Sequence, residues 1–579
     1  MEKLRKRLQH ILCEQYRKPA EETARLLQMV QADGSLRGMN YHQEKIRGSE
    51  WLPGEHLEIM QVLAVTHPEV ANRMLDFWIK TDCSNENWFK PQIGIPRAIC
   101  FTMLMLGRKA GKDELKLRTI LNRSAIKYTG QNRVWLAGIH VMKGVLYDEP
   151  EMVELGRETI LSEIQITGDA GLQYDWSFHQ HGHQLQFGTY GLSWFADMVF
   201  WATAFAGTKF ALPQEKLALI VQYYTNGLRW TLLDKAMDIS ACGRQVIDTF
   251  PFDKYRRCRR IAGLLQKSGL LKELPEPEGS VCYPCSGYLI HRCKEFFFSV
   301  KMSSSRVRGS EVVNSENVLG RYSADGATML YPQLQWDPAS IALRNWYKVP
   351  GTTEVQNSGS LLPYSDYFRK NQSRYSCFAD GDTGAAMMSF HTTAVHAEKA
   401  WFCFGKYIVC MGTNIKSSEP GSVVTTITQS IRNSKVLLEG KELAEGGSRS
   451  SGETEFTFEG MKYLLPEKGD FHFQLDHRHG NWNTIYLDHP STPVSGKMLT
   501  VWQEHEKDIP GQYLYVIYPE KEPTPRIEYL RGESIIGIRT PEGIMLAFFR
   551  PGKFLDVEAT TSGLYLNFKG IKKFIPIRE

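Results

Sequence analysis

Residues 272–287 read KELPEPEGSVCYPCSG, a stretch in which prolines and glycines separate two different hydrophobic patterns. Before it, segments such as HLEIMQVLAVT (56–66) and EVANRMLDFWIK (69–80) carry apolar residues at helical spacing. After it, short runs such as FFFSVKM (296–302) and QYLYVIYP (512–519) alternate with turn residues, as β-strands do. The stretch therefore predicts a boundary between a helical half and a β half.

The whole chain, at 579 residues, is too long for one simple core, so we expect a multidomain α + β protein. Helical spacing also predicts helices over 95–108, 113–126, 149–164, 190–206 and 214–231. This rhythm suits a bundle, a solenoid or an (α/α) toroid, and the β half suits antiparallel β-sandwich domains. We predict a helical domain over 1–265, a linker over 266–285, an antiparallel β domain over 286–505 and a small C-terminal β domain over 506–579.

Composition excludes several functional classes. A net charge of +5 is small for this length and does not indicate a nucleic-acid-binding protein. The most apolar window, GLSWFADMVFWATAFAG (191–207), contains Asp197 and is too short to cross a bilayer comfortably, so we expect no membrane insertion. The first residues, MEKLRKRLQHILCEQYRK, lack the apolar core of a signal peptide and predict an amphipathic helix.

The eleven cysteines are scattered, and their odd number excludes complete pairing within the chain. One cluster contains Cys282, Cys285, His291 and Cys293. A zinc site needs four ligands that converge on a tetrahedron, and two of these residues lie on a predicted strand. We therefore favour buried free thiols over a metal site.

The stretch QYDWSFHQHGHQLQFGTYG (173–191) concentrates histidine, tyrosine and glycine. We interpret it as a loop that leads into a helix beginning near Tyr190. His181 and Tyr190 are nine residues apart and would meet only if this loop folds back. A lone histidine in such a loop would most often serve a structural hydrogen bond. Because His, Tyr, Asn and Arg recur at loop positions along the helical half, a functional site is the better interpretation.

Eight motifs follow one another along the chain: NENWFKPQIGIPRA (85–98), TGQNR (129–133), QHGHQLQFGTYG (180–191), CGR (242–244), KMSSSR (301–306), EVVNSEN (311–317), ADGATMLY (324–331) and NWYKVPGTT (345–353). In this order they are similar to the motifs of polysaccharide lyase family eight, which includes hyaluronan, chondroitin AC and xanthan lyases. The resemblance implies a helical toroid joined to antiparallel sheets, and it implies cleavage of an acidic polysaccharide by β-elimination. It implies that catalysis depends on Asn132, His181, Tyr190, Arg244 and Glu311. It further implies that the substrate contacts Asn87, Trp88, Phe89, Gln131, Arg133, Gln180 and Asn314.

The resemblance also implies that no cofactor is required, although a structural calcium ion is compatible with it. It leads us to expect a monomer that is secreted or periplasmic. Since the amino terminus lacks a signal-peptide pattern, the alternatives are a trimmed chain or a cytoplasmic protein that acts on imported oligosaccharides.

The residue types fit β-elimination from a uronate. The C5 proton is weakly acidic because the neighbouring carboxylate is already negative, so donors must neutralise the carboxylate and a base must take the proton. Two alternatives stay open: a hydrolase that uses Asp175 and Glu311 as paired carboxylates, and a glycan-binding protein without activity. Two positions depart from the family pattern. Asp248 stands where the family has a second arginine, and Trp176 where it has a small residue or tyrosine.

Overall fold

The computed structural model describes residues 1–42, 51–83, 85–111, 114–356, 372–431, 434–507 and 509–577. Its helices are α1 Glu2–Tyr16, α2 Ala20–Leu27, α3 Gly54–Thr66, α4 Pro68–Thr81, α5 Ile95–Leu106, α6 Leu115–Asn122, α7 Gly130–Tyr147, α8 Pro150–Ser162, α9 Leu192–Phe205, α10 Gln214–Asn226, α11 Phe250–Lys267 and α12 Ala339–Ala342. Short π-helical turns span Lys90–Gly94 and Phe187–Gly191. None of the described helices is long and apolar enough to cross a membrane.

The strands fall almost entirely after the predicted boundary. They are β1 Gly171–Leu172, β2 Phe178–His179, β3 Gly279–Tyr283, β4 Tyr288–Arg292, β5 Phe296–Met302, β6 Asp325–Pro332, β7 Thr353–Val355, β8 Arg374–Asp380, β9 Thr383–His391, β10 Val395–Phe404, β11 Tyr407–Ser417, β12 Val423–Ile431, β13 Leu437–Leu438, β14 Lys441–Glu442, β15 Gly446–Ser450, β16 Thr454–Phe458, β17 Met461–Leu465, β18 Asp470–Asn481, β19 Pro493–His505, β20 Gly511–Pro519, β21 Glu528–Gly532, β22 Ile535–Thr540, β23 Gly543–Phe548, β24 Gly552–Phe554, β25 Val557–Ala559, β26 Gly563–Phe568 and β27 Ile571–Pro576. A helical domain followed by antiparallel sheets is thus confirmed.

The chain forms two compact units. Unit 1 comprises residues 1–172, 190–223 and 261–271, and unit 2 comprises residues 173–189, 224–260 and 272–579. Each unit is built from three separate segments of the chain, whereas each predicted domain was one continuous segment. The predicted boundaries at 265, 285 and 505 therefore stay predictions.

Unit 1 is helical, and α7 and α8 pack closely in it because glycines face the contact. A Cβ on Gly144 would lie 2.7 Å from Val153 Cγ2 and 2.8 Å from the Val153 backbone nitrogen. A Cβ on Gly156 would lie 2.7 Å from the carbonyl oxygen of Ala137. The two helix backbones can approach this closely only where the side chain is a hydrogen atom.

Unit 2 contains the large sheets. Within the described residues the strand orders are β3-β4-β5-β6, β14-β13-β16-β17-β20-β11-β10-β9-β8, β15-β18-β19-β12-β7 and β21-β22-β23-β26-β27. All of the pairings in these four sheets are antiparallel. Strand β20, which the prediction placed in the C-terminal domain, pairs with β11 and β17 inside the nine-stranded sheet.

Strand β10 shows why the nine-stranded sheet is apolar on both faces. Its residues alternate, so Trp401 belongs to a core that also contains Phe471 and Phe473 of β18. Phe402 points the other way, into a core shared with Ile536 of β22. The nine-stranded sheet therefore supplies one face to each of two cores, as the central layer of stacked sheets does.

Candidate active site

The loop 173–189 is fixed around His181. This residue has a left-handed backbone with φ +60°, and Gly182 follows it with φ +85°. A Cβ on Gly182 would lie 2.9 Å from Arg308 Cζ. Arg308 donates from Nη1 to the carbonyl oxygen of His181, and its backbone N–H donates to the carbonyl oxygen of His183 (2.9 Å). The surrounding contacts hold a conformation that a histidine seldom adopts by itself.

Glu311 is the centre of the polar cluster in unit 2, and its side chain is fully buried. Its Oε2 accepts from His181 Nδ1 at 2.9 Å and from Gln186 Nε2 at 3.0 Å. Its Oε1 accepts from Arg244 Nη1. Burial would raise the pKa of Glu311, but the hydrogen bond from His181 and the charge of Arg244 outweigh it and hold that pKa below its usual value. Glu311 is therefore an ionised acceptor.

This ionisation determines the state of the imidazole. A carboxylate only accepts hydrogen bonds, so His181 Nδ1 must carry the hydrogen of the bond to Glu311. In the neutral ring, Nε2 then presents its lone pair. His181 is thus oriented to accept a proton or hydrogen bond at Nε2, or to donate from Nε2 when it is protonated.

Arg244 has two acidic neighbours. Besides Glu311 it donates from Nε to Glu316 Oε2, and the Glu316 side chain is also buried. The preceding Gly243 has φ +63°, and a Cβ there would approach Gln186 Oε1 to 3.0 Å. The glycine of the CGR motif therefore lets the chain turn beside Gln186 and present the arginine to both carboxylates.

Asn132 lies in the first turn of α7 in unit 1, and it is 7% exposed. Among the described residues its Oδ1 has no hydrogen-bond partner although it is buried. A buried carboxamide oxygen without a partner is costly, and such groups often serve a ligand or an ordered water. The helix around it is firmly held, since Gln131 donates to Asp197, and Asp197 also accepts from Arg97 at 2.6 Å.

A row of neighbouring aromatic rings in unit 1 extends from Tyr190 to the exposed rings of Trp88 and Tyr128. The ring of Tyr190 lies 6.2 Å from that of Trp135, which lies 5.3 Å from Phe89. Trp88 lies 6.2 Å from Phe89 and 4.8 Å from Tyr128. Trp88 is 40% exposed and Tyr128 is 42% exposed. These two rings form an accessible apolar patch of the kind on which sugar rings stack, hereafter the aromatic patch.

The structure thus brings the expected site residues together in two groups. His181, Arg244 and Glu311 are joined by hydrogen bonds in unit 2. Asn132 and Tyr190 belong to unit 1, as do the rings of Trp88 and Phe89.

The remaining expected contacts have other observed surroundings. Asn87 Oδ1 accepts from the backbone N–H of Phe89 (3.0 Å), and Arg133 pairs with Glu163 (3.5 Å). Gln180 is buried. Asn314 lies at a turn with φ +55° and is half-buried. Their roles toward substrate stay predictions.

Four residues of these groups were missed by the sequence reasoning: Gln186, Glu316, Tyr128 and Trp135. Gln186 and Glu316 lie inside quoted motifs, and Tyr128 directly precedes one. For Gln186 and Glu316, the position inside a motif was the available signal. Without the fold, however, the residue type of none of the four indicates that it lies at a site.

Of the two departures from the family pattern, Asp248 has a neighbouring imidazole, and Trp176 lies at a left-handed position of the loop. Asp248 Oδ2 lies 3.5 Å from His489 Nε2, so the carboxylate has an imidazole beside it. Trp176 has φ +69° in the loop, and the adjacent Asp175 is committed to loop structure. Asp175 Oδ1 accepts from Ser177 N (3.0 Å) and Ser177 Oγ (2.7 Å), and Asp175 Oδ2 accepts from Cys285 N (2.6 Å).

The cysteine cluster does not form a zinc site. Both ring nitrogens of His291 are engaged, one with Ser280 Oγ (2.8 Å) and one with the carbonyl oxygen of Gly405 (3.0 Å). All eleven cysteines are free, as predicted, but Cys282, Cys285 and Cys293 are half-buried rather than buried. The described residues contain one group of metal-ligating side chains in close proximity, Asp470, His472 and Glu504, and there Asp470 already pairs with Arg449.

Comparison with known families gives two matches. Residues 69–249 match the N terminal alpha-helical domain of polysaccharide lyase family 8, and residues 278–529 match the super-sandwich domain of that family. Together the two matches span most of the chain and include the His181, Arg244 and Glu311 cluster.

Individual relatives agree with these matches. A chondroitinase-AC from Pedobacter heparinus is 27% identical over 537 residues, which cover 85% of this chain and 76% of the relative. A hyaluronate lyase from Thermasporomyces composti is 22% identical, and the match covers 75% of this chain and 64% of that relative. A solved structure of a chondroitinase AC lyase has a TM-score of 0.86 at 22% identity and covers 99% of this chain and 94% of its own. This last likeness concerns the fold.

Proposed function

This chain belongs to polysaccharide lyase family 8, and from that premise we propose that it cleaves a uronic-acid-containing polysaccharide by β-elimination, leaving an unsaturated uronate end. It is a carbon–oxygen lyase that acts on polysaccharides, like its relatives. The observation that carries the proposal is the buried network in which ionised Glu311 orients His181 and Arg244.

β-Elimination has two demands that differ from those of hydrolysis. The carboxylate beside C5 must be neutralised as the C5–H bond breaks, and the C4–O4 bond must break with protonation of the leaving oxygen. No water enters the bond that is cut. Oriented hydrogen-bond donors and one proton carrier can meet both demands.

We assign carboxylate neutralisation to Asn132 and His181. The carboxamide of Asn132 is buried, and its Nδ2 would be the donor to the uronate carboxylate, because the amide oxygen can only accept. Protonated His181 would donate from Nε2, because Nδ1 is held by Glu311. Both groups would strengthen their hydrogen bonds as negative charge grows on the uronate carboxylate.

We assign the proton transfers to Tyr190, which would take the C5 proton and then protonate O4. A free tyrosine has a pKa of about 10, so the proton must move in concert or the phenolate must be stabilised nearby. Arg244 shares its charge with two carboxylates. We therefore propose that it chiefly positions Glu311, and through it His181.

The substrate class follows from the family and from the aromatic patch. Trp88 and Tyr128 offer ring faces for sugars, and the relatives are named for chondroitin and hyaluronate. We propose a glycosaminoglycan such as chondroitin or hyaluronan, with xanthan-like polymers as the alternative. The scheme needs no metal, because side-chain donors perform the neutralisation. We also propose a monomer that acts outside the cytoplasm, where such polymers occur.

A hydrolase on this fold is disfavoured by two observations. Paired-carboxylate hydrolysis needs one carboxylic acid with a raised pKa, but the pKa of Glu311 is lowered by His181 and Arg244 against the effect of burial. The other candidate, Asp175, uses both oxygens to hold the loop. A binding protein without activity would have no need of the oriented imidazole.

The test is a panel of hyaluronan, chondroitin sulfates and xanthan, followed by the ultraviolet absorbance of the unsaturated uronate and, in parallel, by the appearance of reducing ends. We expect both signals to rise together on at least one polymer. Reducing ends without ultraviolet absorbance would establish hydrolysis instead. The matched control is the Tyr190→Phe protein, in which both signals should fall together by about 10²-fold or more.

A further inference from the structure

Unit 2 contains a cavity of about 430 Å³ that the proposed reaction does not use. It is bounded by β6, by the turn that follows β6, and by β12. Its lining includes Arg344 and Trp336 but neither His181, Arg244 nor Glu311. Arg344 also lines a smaller cavity of about 50 Å³, whose wall contains Glu311, so it lies between the two spaces. Small-molecule sites commonly have volumes of about 300–1,000 Å³, so the space suits a sugar-sized ligand.

Arg344 lines this cavity without an acidic partner. Among the described residues, its guanidinium has one weak hydrogen bond, from Nη2 to Met329 Sδ at 3.9 Å, and it stacks over Trp346 with Cζ 5.3 Å from the ring centre. Its Nε is buried without any acceptor. Burial lowers the pKa of Arg344 to about 10, so the group is still charged at neutral pH. The Arg344 side chain is half-buried, and a cation that is partly removed from water without a counter-ion is unfavourable unless a ligand supplies one.

A second donor in the wall has the same deficiency. Within the described part of the chain, the indole Nε1 of Trp336 is buried and has no acceptor. The ring itself is fixed by Phe252, at 5.0 Å between centroids. Two residues of the cavity wall therefore carry an N–H donor without an acceptor, and a ligand with acceptor oxygens would satisfy either donor.

The carboxylates in the wall do not supply the missing acceptors. Asp337 Oδ1 accepts from the backbone N–H of Ala339 (3.0 Å), and Glu459 Oε1 accepts from the backbone N–H of Ser434 (2.8 Å). Neither is paired with Arg344 in the described structure. The wall thus contains two carboxylates that accept from backbone N–H groups, whereas Arg344 and Trp336 each keep an N–H donor without an acceptor among the described residues.

We propose that this cavity is a second binding site, which takes an oxyanion, carboxylate or sulfate, with Arg344 as the charged anchor and Trp336 as the second donor. A guanidinium binds planar carboxylates and sulfate through paired N–H groups, which accounts for an arginine rather than a lysine here. The oxyanion can come from free sulfate or from an acidic sugar. The proposal concerns binding alone, so it does not depend on the lyase chemistry.

Isothermal titration of the full chain tests this, with sodium sulfate in one arm and sodium glucuronate in the other, in chloride buffers of matched ionic strength. We expect Arg344→Gln to weaken binding by about 10- to 100-fold, as for loss of a charge-assisted hydrogen bond. Trp336→Phe keeps the aromatic ring and should weaken binding by about 3- to 10-fold. The control Arg550→Gln removes an exposed arginine and should leave binding unchanged.

The location is tested with crystals soaked in sodium selenate, whose selenium gives an anomalous peak. A peak beside Arg344 Nε supports the site, and a peak only at Arg244 or Arg308 overturns it. Absence of binding in both arms, or equal binding by wild type, Arg344→Gln and Trp336→Phe, also overturns it. Glucuronate that binds more tightly than sulfate identifies an acidic sugar as the ligand, whereas the reverse order identifies sulfate. If Arg344→Gln does not fold, Trp336→Phe and the selenate peak still decide the question.

Discussion

Glu311 uses both carboxylate oxygens, and this determines what His181 can do. One oxygen holds His181 Nδ1 and the other holds Arg244. An acceptor on Nδ1 fixes the tautomer of an imidazole, so Nε2 is the His181 nitrogen that we propose acts on the substrate. The family motifs could indicate the residue types from sequence, but not which nitrogen faces the carboxylate.

Glu311→Gln tests this orientation. An amide keeps the shape, but it can turn its NH₂ toward Nδ1 and stabilise the wrong tautomer, so we expect kcat to fall by about 10²-fold or more. Steady-state kinetics on the best polymer of the panel measures it. The control is Glu316→Gln, which removes one partner of Arg244 and leaves the bond to His181 intact; a similar loss in both variants would contradict the assignment.

Tyr190→Phe removes one oxygen and keeps the ring that packs near Trp135. If Tyr190 carries the proton, kcat should fall by about 10²–10⁴-fold or more while substrate affinity changes little. Binding is measured with the inactive variant and kcat with saturating polymer. A variant that retains more than about a tenth of kcat, equivalent to under roughly 1.4 kcal/mol, would make His181 the leading base instead. Tyr128→Phe in the aromatic patch is the matched control and should keep kcat.

At the scale of elements, helix α7 shows where sequence reasoning succeeds and where it fails. The predicted helices at 56–66, 69–80, 95–108, 113–126, 149–164, 190–206 and 214–231 are confirmed, with ends that differ by a few residues, and residue 113 lies outside the described residues. Helix α7 was not predicted, although it carries Asn132. It is buried on nearly every side, so it lacks an amphipathic period, and its internal glycines lower helix propensity. Helix α7 is therefore stabilised by packing against other parts of the fold, which the local sequence pattern does not show.

Gly144→Ala tests that packing. The new methyl group would meet backbone atoms of Val153 and Glu149 at 2.8 and 2.9 Å, so α8 must move. We expect a net loss of about 1–3 kcal/mol in the free energy of unfolding, measured by urea denaturation. Gly263→Ala in α11 is the matched control, since nothing lies within 4 Å of its Cβ position. There the same substitution should stabilise the protein by about 0.5–1 kcal/mol. Equal effects at both sites would contradict the packing argument.

At the scale of the whole molecule, alternation along the strands indicated a β half but not the order of its sheets. Strands such as β10 are buried on both faces, so no polar face in the sequence marks which side meets which partner. Strand β20 illustrates the result, because it follows the predicted boundary at 505 and yet pairs inside the nine-stranded sheet. The position of β20 is determined by its pairing with β11 and β17, which lie far from it in sequence.

Chelation tests the catalytic scheme for the whole enzyme. We expect activity to persist in EDTA, because side-chain donors neutralise the uronate carboxylate. Complete loss that calcium restores would contradict this. An ion with a purely structural role, for instance at Asp470, His472 and Glu504, would instead lower the melting temperature in EDTA without lowering kcat at 25 °C.

The division into two units has a consequence for how the protein is made. Because the backbone passes between the units five times, unit 1 is complete only once residue 271 has been synthesised. The segments 173–189 and 224–260 are made earlier, yet they belong to unit 2 and must wait for strands encoded after residue 272. On the ribosome these two segments, His181 and Arg244 among them, therefore emerge before their partners Glu311 and Glu316 exist. A nascent chain would carry a complete helical unit and two segments that have not yet folded, and the hydrogen-bond network of Glu311 would be among the last parts to form.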